Sequence, residues 1–252
     1  MQWMKLYDSK PVKSRLADKY AVREWVKEKI GEEYLVPLHG VWDKFDDIDF
    51  DKLPDKFVLK CNHGSGYVVI VSDKSQLDRS SMRKKINAWM NEDFSFTNGF
   101  ELHYSAIPRK IIAEQFLTNN DNDLTTYEFW CFDGKVRFIE FLTAQKVSNQ
   151  AAVHDKPEEF TMAIYDTNWR KQDFVYSYPA SSETAPKPDN LDLMIKLAES
   201  LAENFSHVRV DLYDVNGKIY FSEMTFTTCS GVCYWNPKEA DLKVGRMLRL
   251  PE

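Results

Sequence analysis

Cysteine is scarce and long apolar runs are missing. Four cysteines among 252 residues (Cys61, Cys131, Cys229 and Cys233) do not make the disulfide framework of a small secreted protein, so free and mostly buried thiols are expected. The longest apolar stretches, such as residues 67–71, fall far short of the ~20 residues that span a bilayer. The opening Met1-Gln2-Trp3-Met4-Lys5 lacks the apolar core of a signal peptide. No membrane insertion and a cytoplasmic location are therefore expected. Positive charge is not in excess either: 33 Lys and Arg against 39 Asp and Glu leave a net charge of -6. That balance argues against nucleic acid as a partner, and any phosphate must be met by local cations. What is present, 43% hydrophobic and 29% charged residues, is the composition of a folded globular protein. The length suits one large domain or two small lobes.

Hydrophobic spacing outlines the elements. Leu16, Tyr20, Val26 and Ile30 predict one helix over 16–30, ended by Gly31. Apolar runs at 57–61 and 67–72 flank Asn62-His63-Gly64-Ser65-Gly66 and read as a hairpin with a glycine-rich tip. Met82, Ile86, Trp89 and Met90 mark a helix. The aromatic, polar stretch 94–104 has no clear period and is a candidate acceptor-binding loop. Strands are expected at 111–117, 127–132 and 136–143, the last two joined at Asp133-Gly134. Residues 145–188 read as a long excursion with a mobile end at Ser181-Ser182 and Pro186-Lys187-Pro188. A clear amphipathic helix follows on Leu191, Met194, Ile195, Ala198, Leu201, Ala202 and Phe205, then strands 207–213 and 218–226. Asn236-Pro237-Lys238-Glu239 reads as the cap and first turn of a last helix.

The hairpin 208–225 carries the most chemistry. A strand period of two puts Arg209 and Asp211 on one face, with Val208, Val210 and Leu212 on the other. A two-residue Asn216-Gly217 turn would point Glu223 away from Asp211. A three-residue loop, Val215-Asn216-Gly217, would gather Arg209, Asp211, Glu223 and Thr225 on one face, and this register is preferred. Adjacent carboxylates repel unless a cation lies between them, and hard oxygen ligands suit Mg²⁺. Alone, the same residues equally describe a solvated edge hairpin with a salt bridge.

Lys60 precedes a loop whose backbone amides can cradle phosphate oxygens. The loop is not a P-loop, and a glycine-rich tip by itself is more often only a turn. His63 alone reads as a loop polar group. In Ile111-Ile112-Ala113-Glu114-Gln115-Phe116-Leu117 two polar residues interrupt an apolar strand. They offer hydrogen-bonding groups to an adenine edge or, equally, mark a solvated strand edge.

Taken in order, these segments resemble the ATP-grasp superfamily, in the branch named for the teichuronopeptide biosynthesis protein (TupA-like), over nearly the whole chain. The resemblance rests on Ala17-Asp18-Lys19-Tyr20-Ala21-Val22-Arg23-Glu24, residues 57–66, Ile112-Ala113-Glu114, residues 208–212 and residues 221–226. It implies an α+β fold in which two lobes with mainly antiparallel sheets clamp ATP. The expected divisions are an abbreviated N-terminal segment (1–50), a small lobe with the glycine-rich loop (51–117) and a large lobe with the metal-binding hairpin (118–252).

By the same resemblance the ATP-binding residues are Lys19, Lys60, His63, Gly64, Ser65, Gly66, Glu114, Gln115, Phe116, Leu117 and Asp123. Asp211, Glu223 and Thr225 hold magnesium, Thr225 standing where the superfamily usually has asparagine, and Arg209 is the catalytic cation. The implied activity is an ADP-producing, amide-forming carboxylate–amine ligase acting through an acyl phosphate. It would join an amino acid to a uronic acid of a bacterial capsule or cell-wall polysaccharide precursor. The alternatives are a glycan kinase on the same fold and a nucleotide-binding module without turnover.

Overall fold

The structure, a computed structural model, describes residues 1–97, 99–119, 124, 126–144 and 160–250. Its helices are α1 (Gln2–Tyr7), α2 (Pro11–Ala17), α3 (Val22–Lys29), α4 (Arg79–Asn91), α5 (Phe94–Thr97), α6 (Leu191–Leu201) and α7 (Glu239–Gly245). The strands are β1 (Leu38–Trp42), β2 (Phe57–Cys61), β3 (Val68–Val71), β4 (Ile111–Gln115), β5 (Thr126–Phe132), β6 (Lys135–Ala144), β7 (Phe160–Tyr165), β8 (Val175–Tyr176), β9 (His207–Val215), β10 (Lys218–Thr225) and β11 (Trp235–Asn236). They form a four-stranded sheet ordered β1-β4-β2-β3, a five-stranded sheet ordered β10-β9-β5-β6-β7, and the small pair β11-β8. Every strand pairing in these sheets is antiparallel.

Three apolar clusters hold these layers. Phe45, Phe57, Leu59 and Ile86 fill the space between the four-stranded sheet and α4. Val208, Val210 and Leu212 face Leu16, Val26, Met194 and Leu201, so one face of the five-stranded sheet is covered by α2, α3 and α6. On its other face Trp130, Phe138, Met162 and Ile164 meet Phe174, Tyr176 and Val244. Burial of this kind stabilises by about 25 cal/mol per Å² of apolar surface removed from water.

Three expectations need correction. The single helix over 16–30 is two helices. The Asp18 carboxylate accepts from the backbone N–H of Tyr20 (2.8 Å) and Ala21 (3.2 Å), which breaks the helix and starts a new one. The break frees Lys19 from helical packing. The excursion after residue 144 contains strand β7, paired with β6. Its residues alternate between two buried faces, Ala163 and Tyr165 on one and Met162 and Ile164 on the other, so polar alternation is missing. Residues 145–159 lie outside the described residues. Asn236 does not cap α7: it pairs with Val175 in β11, and α7 begins at Glu239 with no side-chain cap.

The four cysteines are free, as expected; Cys61 and Cys131 are buried and Cys229 is exposed. Among the described residues, no helix is long and apolar enough to cross a membrane.

Two histidines are locked in the core without charge. Burial pushes the imidazoles of His103 and His207 down to about 3, and neither Nε2 has a hydrogen-bond partner. Because the folded value lies below the unfolded one, stability is complete above about 6.5 and falls as pH drops from there towards 3. Each histidine contributes a loss of up to ~1.4 kcal/mol per pH unit. Thermal denaturation across that window is expected to show a falling Tm, and His103→Gln is expected to flatten the slope. An unchanged slope in the variant would remove this account.

Candidate active site

The Asp18 break points Lys19 at the glycine-rich tip between β2 and β3. Asn62 secures this arrangement: its Nδ2 donates to the Asp18 carboxylate (2.7 Å) and its carbonyl accepts from Lys19 N (3.2 Å). Lys19 Nζ donates to the Gly64 carbonyl at 2.9 Å and lies 3.0 Å from Glu223 Oε2. One ammonium thus ties the tip of the four-stranded sheet to the acidic strand of the five-stranded sheet.

Lys60 and Glu114 lie on neighbouring strands, with Lys60 opposite Ile112 and Glu114 opposite Val58, so the two are diagonal neighbours on one face. Lys60 Nζ sits 2.6 Å from Glu114 Oε2, and Arg23 approaches Oε1 at 3.7 Å. Burial alone would depress the Lys60 ammonium, but Glu114, Tyr213 and Glu223 reverse this and raise it, so it stays charged. Tyr213 and Glu223 belong to β9 and β10, which places Lys60 opposite the acidic hairpin.

That hairpin reaches its shared polar face by an unexpected route. The turn is the two-residue Asn216-Gly217, with Val215 opposite Lys218 and positive φ at both central residues (52° and 85°). The preferred three-residue loop does not form. A β-bulge between Phe221 and Glu223 instead leaves Ser222 unpaired and shifts the register, so Glu223 opposes Asp211 and Thr225 opposes Arg209. The gathering of Arg209, Asp211, Glu223 and Thr225 is correct; the reason lies in the bulge.

The row continues across the sheet. Glu223, Asp211, Glu128 and Glu140 stand opposite one another on β10, β9, β5 and β6. Arg209 lies across this row. Its Nε and Nη2 donate to the two Asp211 oxygens at 2.9 and 2.7 Å. Nη1 is 2.8 Å from Glu128 Oε2, an ion pair without the alignment of a hydrogen bond, and Nη2 is 3.7 Å from Glu223. Burial, with repulsion from Glu223, raises the Asp211 carboxyl against the pull of Arg209. Lys19 above all, and Arg209, hold Glu223 well below the usual carboxylate range. Of two facing carboxylates one therefore resists ionisation and the other favours it, a division common where groups do chemistry.

Among the described residues, no three His, Cys, Asp or Glu side chains form a metal-holding group. Asp211 and Glu223 offer a pair of hard oxygen donors, and with the Thr225 hydroxyl they fit a cation whose remaining ligands are phosphate oxygens and water.

The other expected site residues fall into distinct places. Gln115 is exposed at the end of β4, and Phe116 and Leu117 follow it half-buried, at the opposite end of the strand from the glycine tip. His63 is buried, its Nε2 3.1 Å from the Trp89 carbonyl, and it faces α4. Ser65 and Gly66 complete the tip, Gly66 at φ 75° in open space. Asp123 lies outside the described residues. A cavity of about 490 Å³ lined by Asp8, Lys13, Asp133 and Arg249 contains none of these groups, so the converging charges define the candidate site.

Glu128 and Glu140 are absent from the sequence expectations, whereas Tyr104 ends the stretch 94–104 expected as a candidate acceptor-binding loop. Tyr104, from the aromatic stretch 94–104, is partly buried against both of the larger apolar clusters, and its phenol is raised well above its usual value, chiefly by burial and then by the charges of Glu101 and Glu223. The available signal was a single acid inside an aromatic strand, Tyr127-Glu128-Phe129 and Ile139-Glu140-Phe141, where an unpaired carboxylate is expensive.

Gly64 has no room for a side chain: a Cβ would lie 2.7 Å from the Tyr67 ring and 2.8 Å from Phe94. Gly64→Ala is expected to displace the tip, costing about 1–3 kcal/mol of stability and weakening nucleotide binding. Differential scanning calorimetry and titration with MgADP check this; wild-type values in both would remove the steric argument.

A family model described as TupA-like ATPgrasp matches residues 1–249. A D-alanine–D-alanine ligase from Bacillus anthracis superposes with a TM-score of 0.50 at 18% identity, covering 91% of this chain and 63% of that one. The D-alanyl-alanine synthetase A of Vibrio cholerae O1 biovar eltor superposes with a TM-score of 0.51 at 12% identity, covering 86% and 58%. These likenesses show an ATP-grasp fold, and the chain spans roughly 60% of the length of the enzymes it matches. A sequence comparison with curated proteins finds no match.

Proposed function

Because the chain belongs to the TupA-like ATP-grasp family, we propose that it is an ATP-dependent ligase that activates a carboxylate and joins it to an amine. The observation that carries this reading is Lys19, whose ammonium touches both the Gly64 carbonyl and Glu223. A cationic cradle and an acidic pair then confront each other across one cleft, which is the arrangement phosphoryl transfer requires.

Lys19 and Lys60 bind the phosphate oxygens, and the amides of the 62–66 tip close over them. Glu114 to Leu117 lies a strand's length from that tip and receives the adenine, so a nucleotide runs along β4. Asp211 and Glu223, with Thr225, hold magnesium, which when bound neutralises charge on the phosphate oxygens. Arg209 stabilises negative charge developing on the transferred phosphoryl group and on the activated carboxylate. Glu101 and Tyr104 line the acceptor side. The carboxylate is a uronic acid of a surface glycan or its precursor, and the amine is an amino acid.

Incubation with ATP, Mg²⁺, uronic acids and amino acids, read by ADP release and by mass spectrometry of the product, tests the reading. A mass increase matching loss of water between acid and amine supports it. A phosphorylated sugar would identify a kinase instead. Nucleotide binding without turnover on any acceptor would leave a binding module.

A further inference from the structure

Arg209 is gripped from more sides than its approach to Asp211 alone would provide. Asp211 engages the Nε–Nη2 edge, Glu223 lies beside Nη2, and Glu128 meets Nη1 at 2.8 Å from the neighbouring strand. Glu140 stands directly opposite Glu128 on β6, and burial, with repulsion from Glu140 and Asp211, raises the Glu128 carboxyl well above its usual range against the pull of Arg209. Glu140 is almost completely buried; its Oε2 accepts from Trp130 Nε1 at 3.0 Å and from the Tyr176 hydroxyl. A row of neighbouring side chains therefore runs from Trp130 and Tyr176 through Glu140 and Glu128 to the guanidinium. Trp130 and Tyr176 sit in the aromatic cluster on that face of the sheet and cannot easily move.

Burying carboxyl groups is costly unless they are paired and hydrogen-bonded, and replacing such a group with an apolar one is often neutral or stabilising. The pair has no evident stabilising purpose in this sheet, whose remaining strength is aromatic and aliphatic packing. We propose that Glu128 is a positioning residue for Arg209, held in turn by Glu140, and that together they fix Nη1 towards the reacting oxygens. A guanidinium carries five N–H donors, of which Asp211 takes two. Glu128, 2.8 Å from Nη1, bounds the guanidinium on the side of β5 and leaves the Nη1 N–H groups to face the cleft. A cation oriented before the reaction needs no reorganisation during it, and this is where electrostatic catalysis gains most.

This inference rests on the ligase reading, and the test separates the two. The probes are ATP with Mg²⁺ and whichever acid–amine pair the wild type turns over. Glu128→Gln keeps the shape of the side chain and replaces the carboxyl oxygen beside Nη1 with an amide. It is expected to lower kcat about tenfold while KM for ATP changes less than about twofold. In an Arg209→Lys background the same substitution is expected to have almost no further effect, because its influence passes through the guanidinium. Independent, multiplicative losses in the double variant would overturn the positioning role. A wild type that consumes no ATP on any acceptor would sink the ligase reading alone. The inference then stands on a second readout: the 15N resonances of the Arg209 Nη groups with MgADP bound. Restricted rotation about Cζ–Nη1 in the wild type, lost in Glu128→Gln, supports it; identical spectra overturn it.

Discussion

Replacing Asp211 by Asn is expected to lower the rate of ADP release by roughly a thousandfold while the fold survives, the size of loss that follows removal of a metal ligand or an electrostatic stabiliser. Asparagine keeps the volume but sets an amide N–H₂ against a guanidinium that now donates to both Asp211 oxygens. It also leaves Glu223 as the one carboxylate for a cation at this position. Stability should respond in the opposite sense. Burial already raises the Asp211 carboxyl above its ordinary value, so its charge opposes folding, and a neutral side chain relieves part of that cost. Arg209 retains Glu223 as a counter-charge and Glu128 beside Nη1. A variant with lost turnover and a Tm equal to or above the wild type is the expected result; a wild-type rate would withdraw the metal assignment.

Lys60→Ala is expected to weaken MgATP binding by about a hundredfold, the worth of one or two charge-assisted contacts, with a smaller effect on kcat. Lys60 lies 2.6 Å from Glu114 and within the field of Glu223, facing the cleft rather than the bond to be made. Its loss leaves Glu114 with the more distant Arg23 at 3.7 Å. Isothermal titration is the direct measurement. Undiminished affinity would mean that the phosphates lie elsewhere, and the reading of the cleft would have to be abandoned.

The sequence reveals elements whose two faces differ and hides those whose faces do not. The β2–β3, β5–β6 and β9–β10 hairpins and the α4 and α6 helices carry their own turn residues and apolar stripes, and all are present. Strand β7 is buried on both sides and has no stripe to read. The break at Asp18 is local, set by its carboxylate and the N–H groups of Tyr20 and Ala21, but the hold that aims Lys19 comes from Asn62, forty-four positions away, which local spacing does not contain. The partial site at Arg209, Asp211 and Glu223 was legible because one hairpin supplies all three. Glu128 and Glu140 come from other strands, and their alignment with Asp211 emerges only when β5 pairs with β9 and β6. Even the legible part had the wrong cause, since no local rule announces a bulge at Ser222.

That unpaired serine gives β10 two stretches with independent phase. Residues 218–221 take their facing from the turn, whereas Glu223 and Thr225 take theirs from β9. One residue inserted at Asn216-Gly217 could therefore be absorbed by straightening the strand, with Glu223 still opposite Asp211. Ile219 and Phe221, now buried, would rotate outward instead. The acidic tip is thus insulated from errors in turn length, and the hydrophobic interior bears their cost.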